Sequence, residues 1–169
     1  MKADALKSNQ AKLKEAYSAS AESAIQQLSA TGTVDFDNLA CNISTPAAIN
    51  PAGLHPSSGG DGTFACPVEI MLAGWVSCAA VTFAAVRHAM KLAIDSCEIT
   101  ATGTIDFRGT LAIDRESPVG LTALELSFNI DSKEPAEKIE KLTQLTERYC
   151  VVHQTLANPP KVSTSVAMG

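Results

Sequence analysis

Two cysteines, Cys78 and Cys150, are the residues of this chain best suited to redox chemistry. Cys78 lies within an uncharged stretch of 17 residues, Ile70 to Val86. Cys150 lies near the end of a charged amphipathic segment, beside Arg148 and His153. The two are far apart along the chain, so only the fold could bring them together. If it does, they form a dithiol that can be oxidised and reduced in cycles.

Each of these cysteines also has a purely structural interpretation. Cys78 could be a small buried residue, and an apolar setting raises the pKa of a thiol, so a reactive Cys78 needs an electropositive partner from elsewhere. Cys150 could be a core thiol below Tyr149. Alternatively, Arg148 or His153 could stabilise its thiolate.

The remaining cysteines and the histidines suggest no further chemistry. Cys41 and Cys97 fit inward-facing positions of strands, and we expect them to be structural. Cys66 ends a glycine-rich loop and is either a thiol near the site or a packing residue. The spacing of Cys and His matches no metal site, so none is expected. A cysteine hydrolase would need a base such as His153, but nothing in the local sequence marks that role.

The composition predicts one cytoplasmic domain that binds neither nucleic acid nor membrane. The chain has 169 residues and a net charge of −5, and it has no Lys or Arg between Ala16 and Val86. Phosphate binding needs clustered positive charge. The N-terminus lacks the apolar core of a signal peptide, and five cysteines without a C-x-x-C pair fit reduced thiols. The uncharged run favours a buried helix over a membrane span.

Hydrophobic periodicity predicts an α+β fold with an antiparallel sheet, because helices and strands do not alternate regularly. The chain after Cys150 either continues the preceding helix or begins a short second one. The predicted elements are a helix over 3–29, a strand over 34–43, a loop over 45–66, a helix over 67–94, strands over 97–107, from 111 and over 124–130, a helix from Pro135, and an edge strand over 162–166. The central helix is apolar all round, so we expect a second copy of the chain to cover it.

Several segments together resemble the OsmC/Ohr family of osmotically inducible and organic-hydroperoxide-resistance proteins. The resemblance spans about residues 33–167. The segments that carry it are Pro67–Cys78, Cys150–Leu156, Thr104–Gly109 and Val119–Thr122. The segments Ala52–Pro56 and Gly59–Gly62 are similar to a subgroup of OsmC-like proteins.

The resemblance implies an intertwined homodimer in which antiparallel sheets wrap around long central helices. Residues 31–169 would form the OsmC-like domain, and residues 1–30 a helical extension before it. The two active sites would lie at the subunit interface.

The resemblance also implies a chemistry. Cys78 would attack an organic hydroperoxide and become a sulfenic acid, and Cys150 would condense with it to a disulfide. An external dithiol, such as a lipoyl or thioredoxin-type protein, would restore both thiols, without a bound cofactor. An apolar pocket of Met71, Trp75 and Phe83 would favour alkyl or lipid hydroperoxides.

The chain departs from the family at the groups that activate the thiolate. The family's peroxidases use an early arginine paired with a glutamate, whereas this chain has no arginine in its first half and Val68 at the glutamate's position. Another group must then lower the pKa of Cys78, and the candidates are Arg148, His55 and Glu69. Two hypotheses stay open: a thiol-dependent hydroperoxide reductase, and a non-catalytic dimer that binds an apolar or reactive small molecule at the interface pocket.

Overall fold

The computed structural model describes residues 31–35, 40–44, 52–53, 55, 66–110 and 115–168. The chain divides into two compact units, Met1–Ala52 and Gly53–Gly169. The helix predicted over 3–29 lies outside the described residues, so the N-terminal extension stays a prediction. All candidate site residues belong to the second unit.

The strand predicted over 34–43 is two strands rather than one. Strand β1, Thr31–Asp35, pairs antiparallel with β2, Ala40–Ser44, and the register places Val34 opposite Cys41. A two-residue strand β3, Ala52–Gly53, completes a sheet of order β1-β2-β3. The single-strand prediction was wrong, because the two halves of this segment pair with each other in antiparallel orientation.

Helix α1, Pro67–Met90, begins where the sequence predicted and ends earlier than predicted. Proline suits the first helical turn, and the Glu69 carboxylate accepts a hydrogen bond of 3.1 Å from the Cys66 N–H. Lys91 adopts a left-handed conformation (φ 55°), and its N–H bonds the carbonyl oxygens of Arg87 and His88. That cap ends the helix, and the strand that follows begins only three residues later.

Helix α1 is only partly covered within one chain. Its buried side chains, Trp75, Ala79 and Phe83, recur every fourth residue and form one stripe. Val81, on another side, is 73% exposed. By length and composition α1 could cross a membrane, with a mean hydropathy of 1.7, but the core helix of a soluble protein passes the same test.

Two long antiparallel strands pack on the buried stripe of α1. Strand β4, Ile94–Ile105, pairs with β5, Leu121–Ser132, and both strands follow their predicted alternation. Between them, Phe107–Thr110 forms the short helix α2, and a Cβ on Gly109 would lie 2.5 Å from the Pro118 carbonyl oxygen, so only glycine fits there. The start of the strand predicted from 111 lies outside the described residues.

Two helices end the chain's regular structure. Helix α3, Ala136–Tyr149, is followed by α4, Val151–Ala157. The alternative that a short second helix begins after Cys150 is therefore confirmed. The edge strand predicted over 162–166 was wrong, because this segment is exposed and has no regular structure. The architecture is α+β, as predicted.

The unit contains two buried clusters along α1. The first is built on Trp75, Ala79 and Cys150, and the second on Phe83, Leu92 and Leu142. Because α1 runs through both clusters, it fixes the position of any side chain that it carries toward α3 and α4.

Candidate active site

The fold brings Cys78 and Cys150 into contact in the first buried cluster. Cys78 comes from the middle of α1, and Cys150 from the junction between α3 and α4. Each thiol is among the groups that shift the pKa of the other, and the two sulfurs are not joined in a disulfide. Cys78 is half-buried, whereas Cys150 is fully buried. The pair is therefore a reduced dithiol with one accessible sulfur.

Cys150 is also the residue that separates the two helices. Its N–H donates to the Thr146 carbonyl oxygen at 2.9 Å and closes α3. Its backbone is extended, and its Sγ accepts a hydrogen bond of 3.5 Å from the His153 N–H. A new helix therefore begins at Val151, and the N–H groups of its first turn have no partners within that helix.

Two of those N–H groups affect the pKa of Cys78. Burial on its own would raise the pKa of the Cys78 thiol, but hydrogen bonds from the Val152 N–H, the Cys150 thiol and the Val151 N–H outweigh it and lower the pKa. Hydrogen bonds that favour the charged form have this effect. Thr82 adds little, because its one hydroxyl proton is donated to the Cys78 carbonyl oxygen at 2.8 Å.

The pKa of Cys150 moves in the opposite direction. Burial raises this pKa most. The His153 N–H lowers it, but the hydrogen bond to the Cys78 sulfur and the charge on that sulfur raise it further. Ionising both sulfurs at once is unfavourable, because like charges repel. The arrangement therefore favours a Cys78 thiolate beside a Cys150 thiol.

The three residues that we expected to activate the thiolate have other partners. Arg148 places its guanidinium 5.9 Å from the centre of the Tyr149 ring and lines a polar depression on the surface. His55 stacks on Phe107, with ring centres 5.1 Å apart. The Glu69 carboxylate caps the Cys66 N–H. Their activating role stays a prediction, because the groups that lower the Cys78 pKa are backbone and thiol groups.

The three residues of the expected substrate pocket do not come together. Trp75 is 4% exposed and packs in the cluster that contains Cys150. Phe83 lies in the second cluster and stacks on Phe128, with ring centres 6.0 Å apart. Met71 lies at the surface. Of these three residues, only Trp75 adjoins the thiols within one chain.

The other described cysteines lie away from the pair. Cys97 packs in the second cluster, and burial raises its pKa. Cys66 is buried at the start of α1 and lines a cleft of about 660 Å³ together with His55 and Glu69. Among the residues that the structure describes, no three His, Cys, Asp or Glu side chains group as metal ligands.

Comparison with protein families identifies one match. A family model described as OsmC-like protein matches residues 60–165, which include both thiols. No sequence among curated proteins matches closely enough to count as a relative.

Solved structures share the fold at low identity. An OsmC-like protein from Mycoplasma pneumoniae has a TM-score of 0.66 and 17% identity, with 79% of this chain and 89% of that chain covered. An organic hydroperoxide resistance protein from Elizabethkingia anophelis has a TM-score of 0.61 and 20% identity, with 79% of this chain and 91% of that chain covered. An OsmC-like protein of unknown function from Vibrio cholerae has a TM-score of 0.59 and 17% identity, with 78% of this chain and 94% of that chain covered.

Proposed function

The chain belongs to the OsmC-like protein family, and on that premise we propose that it reduces organic hydroperoxides with its own thiols in defence against oxidative stress. Among its structural relatives, the Elizabethkingia protein is described as an organic hydroperoxide resistance protein. The residues that would carry the reaction are Cys78 and Cys150.

The reaction has three balanced steps. The Cys78 thiolate attacks the terminal oxygen of R–O–O–H, the O–O bond breaks, and sulfenic acid and the alkoxide RO⁻ form, which takes a proton to become ROH. The Cys150 thiol then attacks the sulfenic sulfur, and the disulfide forms with release of one water. An external dithiol reduces that disulfide by exchange and is itself oxidised to a disulfide.

One observation carries this proposal: Cys78 packs against the buried cluster that contains Cys150, where the first N–H groups of α4 and the Cys150 thiol lower the pKa of Cys78. The thiolate is the nucleophilic form of cysteine, so a lowered pKa increases its population near neutral pH. The resolving thiol is already in contact, so disulfide formation needs little rearrangement. The protonated state of Cys150 suits its role, since a thiolate there would repel the nucleophile.

Partners and location belong to the same proposal. The apolar surface that α1 leaves exposed supports a homodimer, because a second copy with the same surface would cover it. The free thiols of the described cysteines support a reducing, cytoplasmic location. The reductant would be a lipoyl or thioredoxin-type dithiol, and the chain would need no cofactor of its own.

Peroxide consumption by the purified, reduced protein tests the proposal. With cumene hydroperoxide and dihydrolipoamide, we expect sustained turnover by the wild type and none by Cys78→Ser. Without dihydrolipoamide, Cys150→Ser should consume one equivalent and leave a sulfenic acid that dimedone labels. Cys97→Ser, the matched control, should retain activity. Sustained turnover by Cys78→Ser would disprove the proposal.

A second candidate function is ligand binding without turnover. The cleft beside Cys66 has a volume of about 660 Å³, which is typical of small-molecule sites, and its lining includes the apolar side chains of Leu72, Ile105 and Phe107. Leu72 also packs against the first cluster, so the cleft adjoins that cluster. This candidate predicts no hydroperoxide consumption by the wild type.

A further inference from the structure

Two polar ring atoms beside the dithiol are buried and have no hydrogen-bond partner in the described part of the chain. They are Trp75 Nε1 and His153 Nδ1. A buried polar group without a partner destabilises the folded state. Most buried polar atoms in folded proteins are satisfied, so two such atoms in one place need an explanation.

The two rings are neighbours, and both adjoin the redox pair. Their centres lie 5.7 Å apart at an angle of 52°. Trp75 packs in the buried cluster that contains Cys150, and Cys78 packs against that cluster. The His153 N–H donates to the Cys150 Sγ at 3.5 Å. A ligand group that bonds to both rings would therefore lie beside the reacting sulfurs.

The chemistry of the two atoms restricts that group. The indole nitrogen only donates a hydrogen bond, and a neutral imidazole can accept one at its unprotonated nitrogen. A hydroxyl is the smallest group that accepts one hydrogen bond and donates another. An ether oxygen accepts only, and a hydrocarbon does neither.

We infer that Trp75 and His153 form a subsite for the O–H group of a ligand, beside Cys78 and Cys150. The ligand is a hydroperoxide, or the alcohol that its reduction leaves, so its identity rests on the proposed function. Trp75 Nε1–H donates a hydrogen bond to the ligand oxygen, and His153 Nδ1 accepts a hydrogen bond from the ligand O–H. His153 also lines the polar depression that contains Lys141, Glu147 and Arg148, a volume of about 440 Å³.

Trp75 is the only tryptophan in the chain, so its fluorescence reports on this subsite. The probe is cumyl alcohol, titrated into the reduced protein without any peroxide, and cumyl methyl ether is the matched compound without an O–H. We expect the alcohol to change the fluorescence and to bind about tenfold tighter than the ether, the difference that one hydrogen bond makes.

Variants of His153 separate hydrogen bonding from packing. His153→Asn keeps a polar atom near the position of Nδ1 and should retain preference for the alcohol, whereas His153→Leu should lose it. His88→Leu, at an exposed histidine near the end of α1, is the control and should behave as wild type. Circular dichroism of each variant verifies its fold, and if His153→Leu does not fold, the comparison of alcohol with ether in the wild type decides alone.

A kinetic measurement completes the test. Trp75→Phe keeps an aromatic ring but removes the N–H, so KM for cumene hydroperoxide should rise several-fold while kcat changes less. Equal binding of alcohol and ether by the wild type would overturn the inference, even if the protein reduces peroxides. Conversely, preferential binding of the alcohol without any turnover would support the subsite and disprove the proposed function.

Discussion

After the Val152 N–H, the Cys150 thiol is the strongest of the hydrogen-bond donors that lower the pKa of Cys78. The pKa of Cys150 itself is raised, first by burial and then by the sulfur of Cys78. The two cysteines are therefore chemically different although their side chains are identical. The half-buried sulfur is the better nucleophile, and the fully buried one keeps its proton until the first has reacted. The order of the two roles that we propose rests on this asymmetry.

The donated hydrogen bond can be removed without removing the nucleophile. In Cys150→Ala the donor is absent, so the Cys78 pKa should rise and its alkylation by iodoacetamide at pH 7 should slow by about three- to tenfold. Cys150→Ser retains a hydroxyl donor and should react at close to the wild-type rate. Mass spectrometry of the peptide that contains Cys78 measures both rates.

Thr82→Val is the control for that comparison. The Thr82 hydroxyl donates to the Cys78 carbonyl oxygen, so its loss should leave the alkylation rate almost unchanged. Equal rates for Cys150→Ala and Cys150→Ser, or a larger effect of Thr82→Val, would show that the Cys150 thiol does not stabilise the thiolate.

The pH dependence of alkylation should differ between two cysteines of the same chain. The pKa of Cys78 lies below its ordinary value of 9.0 and that of Cys97 lies above it, in the latter case because of burial. Only the thiolate reacts, so the rate at Cys78 should reach its half-maximum at lower pH than the rate at Cys97. Rates measured by peptide mass spectrometry between pH 6 and 10 give both curves, and coincident curves would contradict the assignment.

The sequence predicted the elements whose hydrophobic period is long and regular. Strands β4 and β5 follow a period near 2, which buries one face of each. Helix α1 was predicted instead from its long uncharged run and from the proline at its start. The end of α1 was misplaced because the left-handed backbone of Lys91, rather than the hydrophobic pattern, stops the helix. The segment 162–166 has the residue types of a strand but no neighbouring strand within the described residues.

The candidate site was predictable only in part. The pairing of Cys78 with Cys150 came from the family resemblance, because a contact between distant residues depends on tertiary structure. The N–H groups of Val151 and Val152 were missed, because every residue except proline has such a group and no residue type marks it. The signal that could have revealed them was the alternative of a helix that begins after Cys150, since the first N–H groups of a helix lack partners within it.

The second core cluster should support the fold without contributing to the chemistry. Leu142 is fully buried between α1 and β5 neighbours, including Phe83 and Phe128. Leu142→Ala should lower the free energy of unfolding by about 2–5 kcal/mol, because it leaves a cavity. Val162→Ala, at a site that is 89% exposed, should leave it unchanged. Urea denaturation followed by circular dichroism measures both, and equal midpoints would contradict this view of the core.

Val81 tests whether a second copy of the chain covers α1. Its side chain is 73% exposed on an apolar helix, and burial of apolar surface contributes roughly 25 cal/mol per Å². Val81→Asp would bury a charge in that interface, so it should convert a dimer into monomers in sedimentation equilibrium. Val162→Asp introduces the same charge in the exposed C-terminal segment and should leave the dimer intact. A wild type that sediments as a monomer, or a Val81→Asp variant that remains dimeric, would show that this face of α1 is not the subunit interface.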